Sequence, residues 1–272
     1  FVKVCTFMQK NVVLILTYNL EIILKEERHK LILREINLHN KVLTTDLSEH
    51  LIVSEDTIRR DLNELADLDL ILKVHGGAMS KTFHYPFDGQ HPVYAHQAKQ
   101  VIAHKAIGLF KKDMLILMEG GTTIMEIAKQ IPGDLQATFF TVCPQVALKL
   151  AEHENIDVIT IGGRLAKNAN IHTGAGVINE LSNIKFDLCI IGTNGISVQN
   201  GLTDSDWEVV HVIKAMIGAA KKVAVVCIAE KFNTVQKIKI SDISDVDYII
   251  TELSPDSPVL SAYTGKAKPV LI

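Results

Sequence analysis

From residue 98 onward, short apolar runs alternate with helical patterns, and this alternation limits the chain to a small set of folds. Apolar runs without polar alternation predict strands buried on both faces, which are typical of parallel sheets. The predicted strands are 114–118, 138–142, 157–161, 188–191, 223–228 and 248–250, and the predicted helices are 98–111, 123–131, 144–152, 174–183 and 205–220. Residues 98–272 are therefore expected to form a mainly parallel α/β domain that binds ligands at the carboxyl ends of its strands.

The preceding segment has three short helical patterns, followed by a strand and a glycine pair. The first helix is predicted at 25–38, the second begins near Thr44 as a good N-cap, and the third opens at the N-cap Ser54. Residues 70–74 then predict a strand that ends at His75-Gly76-Gly77. Three helices and a hairpin predict an N-terminal winged helix-turn-helix.

The charge balance restricts how this segment can bind nucleic acid. The chain has 272 residues, enough for one large or two ordinary domains, and a net charge of −3, which excludes a strongly basic protein. Residues 25–81 contain nine Lys and Arg against eleven Asp and Glu, whereas a domain that binds phosphates usually has a basic excess. DNA contact would have to come from a local patch, and a winged-helix module used for protein contacts stays open as an alternative.

A recognition helix reads the major groove from its N-terminal residues, supported by the wing. The candidate DNA-binding residues are Thr44, Ser54, Thr57, Arg59, Arg60, Lys73 and His75. Hydroxyls can reach phosphates or bases, and arginine can pair with guanine. The alternative is that both arginines are surface charges paired with Asp56, Asp61 or Asn63.

In the back half, Glu119-Gly120-Gly121-Thr122-Thr123 follows a predicted strand and opens a predicted helix. Two glycines allow a sharp turn, and the free N–H groups at the helix start can hold an anion such as phosphate. The alternative is a capping box of Thr123 with Glu126, which needs no ligand.

Further candidates for the same site follow other strands or lie on the 205–220 helix. They are Gly162, Gly163, Gly192, Gly195, Glu208, Lys214 and Lys231. Ordinary turns explain the glycines equally well, a surface ion pair explains Glu208 and Lys214, and Lys231 could be a solvated loop lysine.

The order of residues in the front half closely resembles the DeoR family of bacterial transcriptional repressors. The resemblance rests on the run 53–62, on Val74-His75-Gly76-Gly77-Ala78 and on Glu27-Arg28-His29. It implies that 42–61 is the helix-turn-helix and that 25–80 is the DNA-binding domain. Asn40 and Asp69 stand where the family commonly has Gly, and both residue types tolerate the left-handed conformation of a helix C-cap.

The back half is similar to the family's effector domain, which resembles ribose-phosphate isomerases in fold. The family's D-x-G-T-T element corresponds to residues 119–123, its Gly-Gly pair to 162–163, its G-x-x-G to 192–195 and its S-K-F to 230–232. The resemblance implies a phosphorylated sugar that releases the repressor from its DNA operator, and a homo-oligomer. Residues 141–144 and 229–230 depart from the family pattern, so the ligand can differ from those of better-known members.

A sugar-phosphate isomerase with a DNA-binding appendage is the alternative function. Such an enzyme needs a carboxylate base beside the carbon that it deprotonates. The turn 192–195 contains no carboxylate, although Glu119 and Asp204 are possible bases. Cys143 is a weaker candidate for a nucleophile because nothing in the sequence places a base beside it. Binding without turnover, without a metal and without a cofactor is therefore expected.

The remaining segments carry no chemistry. Residues 81–97 lack periodicity and are predicted to be a linker, and their histidines match no metal motif. Residues 1–24 contain an apolar run far shorter than the roughly 20 residues of a membrane span. They are expected to be an extension outside the folded unit, or else a short extra strand or helix. The cysteines form no CxxC pair, which suits the cytoplasm.

Overall fold

The computed structural model describes residues 23–81, 93–167, 169–264 and 269–272. Below, residues 23–81 are called the front unit, and the described residues from 93 onward are called the back unit. Most of the predicted extension (1–24) and of the predicted linker (81–97) lies outside the described residues.

The front unit consists of three helices and a three-stranded antiparallel sheet. Its elements are α1 (Lys25–His39), β1 (Lys41–Leu43), α2 (Thr44–Leu51), α3 (Glu55–Asp67), β2 (Leu72–Val74) and β3 (Gly77–Met79). The strand order is β1-β3-β2, with β2 and β3 forming the wing. The winged helix-turn-helix is thus confirmed; β1 was not predicted, since three residues are too few to show a period.

The apolar faces of the three helices meet in one small core. The side chains of Ile32, Ile36, Leu47, Leu51, Ile58, Leu62 and Leu65 are buried there. A buried ion pair adds to this packing: Arg28 donates to both carboxylate oxygens of Asp61, at 2.6 and 3.0 Å, and His29 Nε2 lies 3.1 Å from Asp61 Oδ1. The Arg28-His29 motif therefore joins α1 to α3 and has a structural role.

The two predicted helix starts turn out differently. Ser54 caps α3 as expected, because its Oγ accepts a hydrogen bond from the N–H of Thr57 at 3.2 Å. Thr44 is not an N-cap: Leu43 holds that position, and Thr44 is the first residue of α2 with only 6% of its surface exposed. The prediction for Thr44 was wrong because β1 leads directly into α2, so Thr44 packs inward and its N–H bonds to Gly76 O at 2.9 Å.

Asn40 and Asp69 both have left-handed backbones, each with φ 62°. Asn40 is the C-cap of α1. The two departures from glycine therefore keep the backbone that the fold requires.

The back unit is built around a seven-stranded, wholly parallel sheet. Its elements are α4 (His96–Ile107), β4 (Leu115–Met118), α5 (Thr122–Lys129), β5 (Ala137–Thr141), α6 (Pro144–Leu150), β6 (Ile156–Thr160), β7 (Arg164–Ala166), β8 (Ile171–Thr173), α7 (Ala175–Ser182), β9 (Leu188–Ile191), β10 (Gly195–Ser197), β11 (Gly201–Asp204), α8 (Trp207–Ala219), β12 (Val223–Val226), β13 (Ile238–Ser241), β14 (Tyr248–Ile250) and β15 (Val270–Leu271). The sheet order is β15-β14-β12-β9-β4-β5-β6. Every residue of β9 and of β12 is buried, as the apolar runs predicted.

The structure adds two small antiparallel elements that were not predicted. One is the hairpin β7-β8, and the other is the three-stranded sheet β10-β11-β13. Their strands have three or four residues, and β10 and β11 are buried throughout. Strands of three or four residues are too short for a hydrophobic period to be detected.

The sheet order places a topological switch point between β4 and β9. From β4 the chain proceeds outward through β5 and β6, then returns to β9 on the other side of β4 and continues to β12. Loops that leave adjacent strands in opposite directions open a crevice at their carboxyl ends, where ligands bind in open α/β sheets. The residues that follow Met118 and Ile191 border this crevice.

Candidate functional site

A cavity of about 1010 Å³ lies at this switch point. The back unit lines it with five groups of residues: 119–124 after β4, 192–194 after β9, 204–206 from the end of β11, 226–228 with 230–231 at and after the end of β12, and 234–237. Four predicted site residues of the turn after β4, Gly120 to Thr123, line it together with Gly192 and Lys231.

Glu119 joins the two strand ends that form the crevice. Its Oε2 accepts a hydrogen bond from the N–H of Gly192 at 2.7 Å, and its own N–H donates to Ile190 O at 3.0 Å. Burial raises the pKa of Glu119 to about 8, although the hydrogen bond from Gly192 opposes the shift. The carboxyl group is therefore mostly protonated at neutral pH and can donate a hydrogen bond to a ligand hydroxyl.

The turn after Glu119 leaves helix α5 open to an anion. Gly121 is its N-cap with φ 103° and ψ 162°, and no side chain caps the helix. The capping box of Thr123 with Glu126 is therefore absent from α5. The N–H groups at the start of α5 and the hydroxyls of Thr122 and Thr123 can donate hydrogen bonds to an anionic ligand at the positive end of the helix.

Two lysines line the cavity without a carboxylate partner. Lys231 Nζ donates to Thr193 O at 2.7 Å, and Lys99 Nζ donates to Tyr94 O at 2.6 Å. Within the described residues neither lysine forms an ion pair. Burial lowers the pKa of both lysines, that of Lys99 to about 7, and the charge of Lys231 acts on Lys99 in the same direction. An anion between them would remove this mutual repulsion.

A second carboxylate borders the cavity near Lys231. Burial raises the pKa of Asp204, against hydrogen bonds from the N–H groups of Asp206 and Ser205. Asp204 Oδ2 also accepts from the side-chain amide of Asn194 at 2.9 Å. Lysines, carboxyls and an amide in one crevice can hold a ligand that carries both an anionic group and hydroxyls.

The remaining candidates for this site do not line the cavity. Gly163 and Gly195 have packing roles: a Cβ would lie 2.5 Å from Val177 Cγ2 at Gly163 and 2.8 Å from Thr203 Oγ1 at Gly195. Gly162 is exposed and outside the lining. Glu208 is half-exposed and paired with Arg164, and Lys214 points to solvent, so neither reaches this cavity.

Sequence reasoning missed several residues that line the cavity. Lys99, Asn194 and Asp206 were not among the predicted site residues, and the sequence suggested Glu119 and Asp204 only as possible bases of an enzyme. No local motif marks Lys99, which lies in the first turn of α4, far from the glycine turn along the chain. The one available signal was a lysine on the otherwise apolar face of a predicted helix.

On the front unit, the candidate DNA-binding residues are mostly exposed. Ser54, Arg59, Arg60, Lys73 and His75 are exposed, and Thr57 is partly so. Arg59 donates to Glu55 at 2.5 Å and to Asp56 at 2.9 Å, so acidic residues of its own helix partly neutralise it. Arg60 has no ion pair within the described residues and is the free guanidinium on this face.

The rest of this face is hydrogen-bonded locally. Lys73 of the wing donates to the side-chain oxygen of Asn63 on α3. The hydroxyls of Ser54 and Thr57 lie 2.9 Å apart. In the described part of the chain, no group of three or more His, Cys, Asp or Glu side chains could hold a metal ion. The same residues contain no helix with the length and apolar content needed to cross a bilayer.

Comparison with known proteins identifies both units. The model of the DeoR-like helix-turn-helix domain matches residues 28–83, and the model of the DeoR C terminal sensor domain matches residues 94–253. Ribose 5-phosphate isomerase A from Methanocaldococcus jannaschii shares only 15% identity with a TM-score of 0.37, covering 50% of this chain and 54% of that one.

Curated relatives match over nearly their whole length. The HTH-type transcriptional regulator GlpR of Haloferax volcanii is 30% identical over 236 residues, covering 86% of this chain and 92% of the relative. The glycerol-3-phosphate regulon repressor of Haemophilus influenzae is 30% identical over 250 residues, covering 90% and 96%. Both are named as regulators and not as enzymes, in agreement with the expectation of binding without turnover. The chain belongs to the DeoR family of DNA-binding transcriptional regulators.

Proposed function

We propose that this regulator represses genes of carbohydrate metabolism and leaves its operator when a phosphorylated sugar or polyol binds the cavity at the switch point. One observation carries the ligand class: Lys99 and Lys231 line the same cavity as the open N-terminus of α5, and neither has an ion-pair partner in the described residues. A phosphate group would supply the missing negative charge. The name of the Haemophilus influenzae relative, a glycerol-3-phosphate regulon repressor, points to the same class.

The sugar or polyol part of the ligand would meet the polar groups beyond the phosphate. The protonated carboxyl of Glu119 can donate to one hydroxyl, while Asp204 and Asn194 can accept from others. In the proposed orientation, the phosphate of the ligand lies at the two lysines and the start of α5, and its hydroxyls point toward the ends of β9 and β11.

The proposed DNA-binding residues are those exposed on α3 and on the wing: Ser54, Thr57, Arg59, Arg60, Lys73 and His75. Thr44 is left out because it is buried. We further propose a homo-oligomer, which would read half-sites about one DNA turn or its multiples apart. Such a regulator would work in the cytoplasm, where reducing conditions keep the buried thiols of Cys143, Cys189 and Cys227 free.

A thermal-shift screen tests the ligand class, because a ligand that binds only the folded state raises the melting temperature. The panel is glycerol 3-phosphate, glucose 6-phosphate, fructose 6-phosphate, inorganic phosphate and the three unphosphorylated compounds. We expect only the phosphorylated compounds to raise the melting temperature. The compound that raises it most should also weaken binding of the protein to an operator selected from a random duplex pool, as measured by a gel shift. Equal shifts from glycerol and glycerol 3-phosphate, or no shift from any phosphate, would contradict the proposal.

A further inference from the structure

The cavity has a second wall, which the front unit provides. The end of α1, strand β1 and helix α2 all line it, through Arg34, Glu35, His39, Lys41, Asp46 and His50 among others. A ligand in the cavity would therefore lie between the unit that binds DNA and the unit that senses the ligand.

Apolar packing and two ion pairs help to hold the front unit in this position. Leu38, at the end of α1, is 4% exposed and packs in the core of the back unit, whereas Ile32 and Ile36 of the same helix pack in the core of the front unit. Arg34 Nε donates to Glu230 Oε2 at 3.1 Å, and Lys237 Nζ donates to Asp46 Oδ1 at 2.7 Å.

His39 of the front unit contacts residues of the back unit beside the anion-binding groups. Gln236 Nε2 lies 3.3 Å from its Nδ1, and Glu35 Oε2 lies 3.6 Å from its Nε2. Burial lowers the pKa of His39 to about 4, and the charges of Lys231 and His50 act in the same direction, against a hydrogen bond to the backbone of Asn194. His39 is thus a neutral imidazole on which the charge of Lys231 acts.

We propose that the front unit closes the effector pocket and that His39 contacts the bound anion directly. The ligand and the docked position of the front unit then stabilise each other, because the ligand bonds to both units at once. This inference rests on the proposed function, since it takes the ligand to be a phosphate-bearing compound.

In this arrangement, ligand binding can change the orientation of the DNA-binding helix α3 directly. Since α1, α2 and α3 share one core, fixing α1 and α2 against the back unit also fixes the direction in which α3 faces. An occupied pocket would hold α3 in one position relative to the sheet, and an empty pocket would let the front unit leave.

The first test replaces His39 and measures binding of inorganic phosphate and of glycerol 3-phosphate to the full chain by calorimetry. We expect His39→Ala to weaken both at least fivefold, and His39→Gln to weaken them less because glutamine keeps a hydrogen-bond donor. His104→Ala is the matched control, since His104 is exposed on α4 outside the cavity, and it should bind like the wild type. Melting temperatures of all variants check that each one is folded.

The second test leaves His39, the two lysines and the start of α5 unchanged and breaks a docking contact through a charge swap. Asp46→Lys and Lys237→Asp each place like charges together, and the double variant restores an ion pair. We expect either single variant to weaken glycerol 3-phosphate at least threefold and the double variant to recover the loss. Lys239→Glu controls for a surface charge change, because Lys239 pairs only locally with Asp242.

The outcomes separate the two proposals. If the wild type binds phosphate compounds and His39→Ala, Asp46→Lys and Lys237→Asp bind them equally well, the inference is wrong and the proposed function stands. If the wild type binds neither probe, the proposed function falls and this inference falls with it.

Discussion

Ile52 ends helix α2 with a left-handed backbone, φ 54° and ψ 44°. A β-branched residue rarely adopts this conformation, because its Cβ substituents crowd the backbone. The local hydrogen bonds hold it there: Ser48 Oγ donates to Val53 O at 2.8 Å, and the N–H of Val53 donates to Ser48 O at 3.2 Å. The side chain is 73% exposed, so packing does little to offset the strain.

Ile52→Asn is expected to raise the free energy of unfolding by about 1 kcal/mol, because asparagine tolerates the left-handed region in which other residues lose roughly 1–2 kcal/mol. Urea unfolding followed by circular dichroism measures the change. Leu68→Asn is the matched control: Leu68 is 66% exposed but has φ −78°, so it should change stability little. Equal effects at both positions would show that loss of exposed apolar surface, and not backbone strain, is responsible.

At the scale of the element, α3 presents two neighbouring arginines in different states. Glu55 and Asp56 bind Arg59 at the start of the helix, while Arg60 has no ion pair within the described residues. An arginine that must first break its ion pairs with carboxylates contributes less net free energy to binding when it contacts a phosphate or a base. Adjacent positions of the same residue type are therefore expected to contribute unequally to DNA binding.

Arg60→Ala should weaken operator binding about tenfold, in line with roughly 1–3 kcal/mol for a good arginine contact. Arg59→Ala should cost less, because Arg59 must give up its bonds to Glu55 and Asp56 before it can contact the DNA. Fluorescence anisotropy at several salt concentrations measures both, and effector affinity should be unchanged. A larger loss for Arg59→Ala than for Arg60→Ala would reverse this assignment.

The turn between β4 and α5 depends on a backbone that glycine alone adopts readily. Gly121 has φ 103° and ψ 162°, a region that strains other residues by about 1–3 kcal/mol. Its conformation aims the first N–H groups of α5 at the cavity.

Gly121→Ala should therefore weaken phosphate binding at least tenfold and lower the melting temperature, with calorimetry and a thermal scan as the measurements. Thr122→Ala should weaken the ligand without the loss of stability, because it removes a hydroxyl and leaves the backbone unchanged. Gly133→Ala serves as control, since a Cβ there meets nothing within 4 Å and the backbone is not left-handed. Wild-type phosphate affinity in Gly121→Ala would show that α5 does not hold the anion.

At the scale of the whole molecule, the cavity brings together groups whose charges depend on one another. Lys99 has a pKa of about 7, and Glu119 has a pKa of about 8. A bound phosphate favours the charged form of Lys99, so binding above pH 7 takes up a proton. Above pH 8 the ionised Glu119 repels the same anion. The titration of Lys99 and that of Glu119 therefore both lower phosphate affinity as the pH rises.

Phosphate-ligand affinity is therefore expected to fall as pH rises from 7 to 9, by up to about tenfold per pH unit for each proton taken up. The ligand itself is mostly a dianion throughout, since its second pKa is about 6. Lys99→Met should bind more weakly and lose the slope between pH 7 and 8. Calorimetry in two buffers of different ionisation enthalpy would count the protons, and a flat profile would contradict this account.

Much of the fold followed from local patterns. The apolar runs identified all the central strands of the large sheet, with ends displaced by one or two residues in most cases, and Ser54 marked the start of α3. The glycine turn after β4 was recognised because its residue types leave few other conformations. These features depend on neighbours in sequence, which is why the sequence alone reveals them.

The remaining features depend on which residues that are distant in sequence come close together in the fold. The sequence predicted Thr44 as a helix cap, but β1 leads directly into α2 and buries it. Lys99 carries no motif, yet the fold places it in the same cavity as Lys231. His39 belongs by sequence to the front unit, yet it lines the cavity of the back unit. The amino-acid sequence determined the periodicity of the helices and strands, the turns and the family. The tertiary structure alone decided which side chains are buried and which charged groups lie close together, because burial and electrostatic energies depend on distance in space and not on separation along the chain.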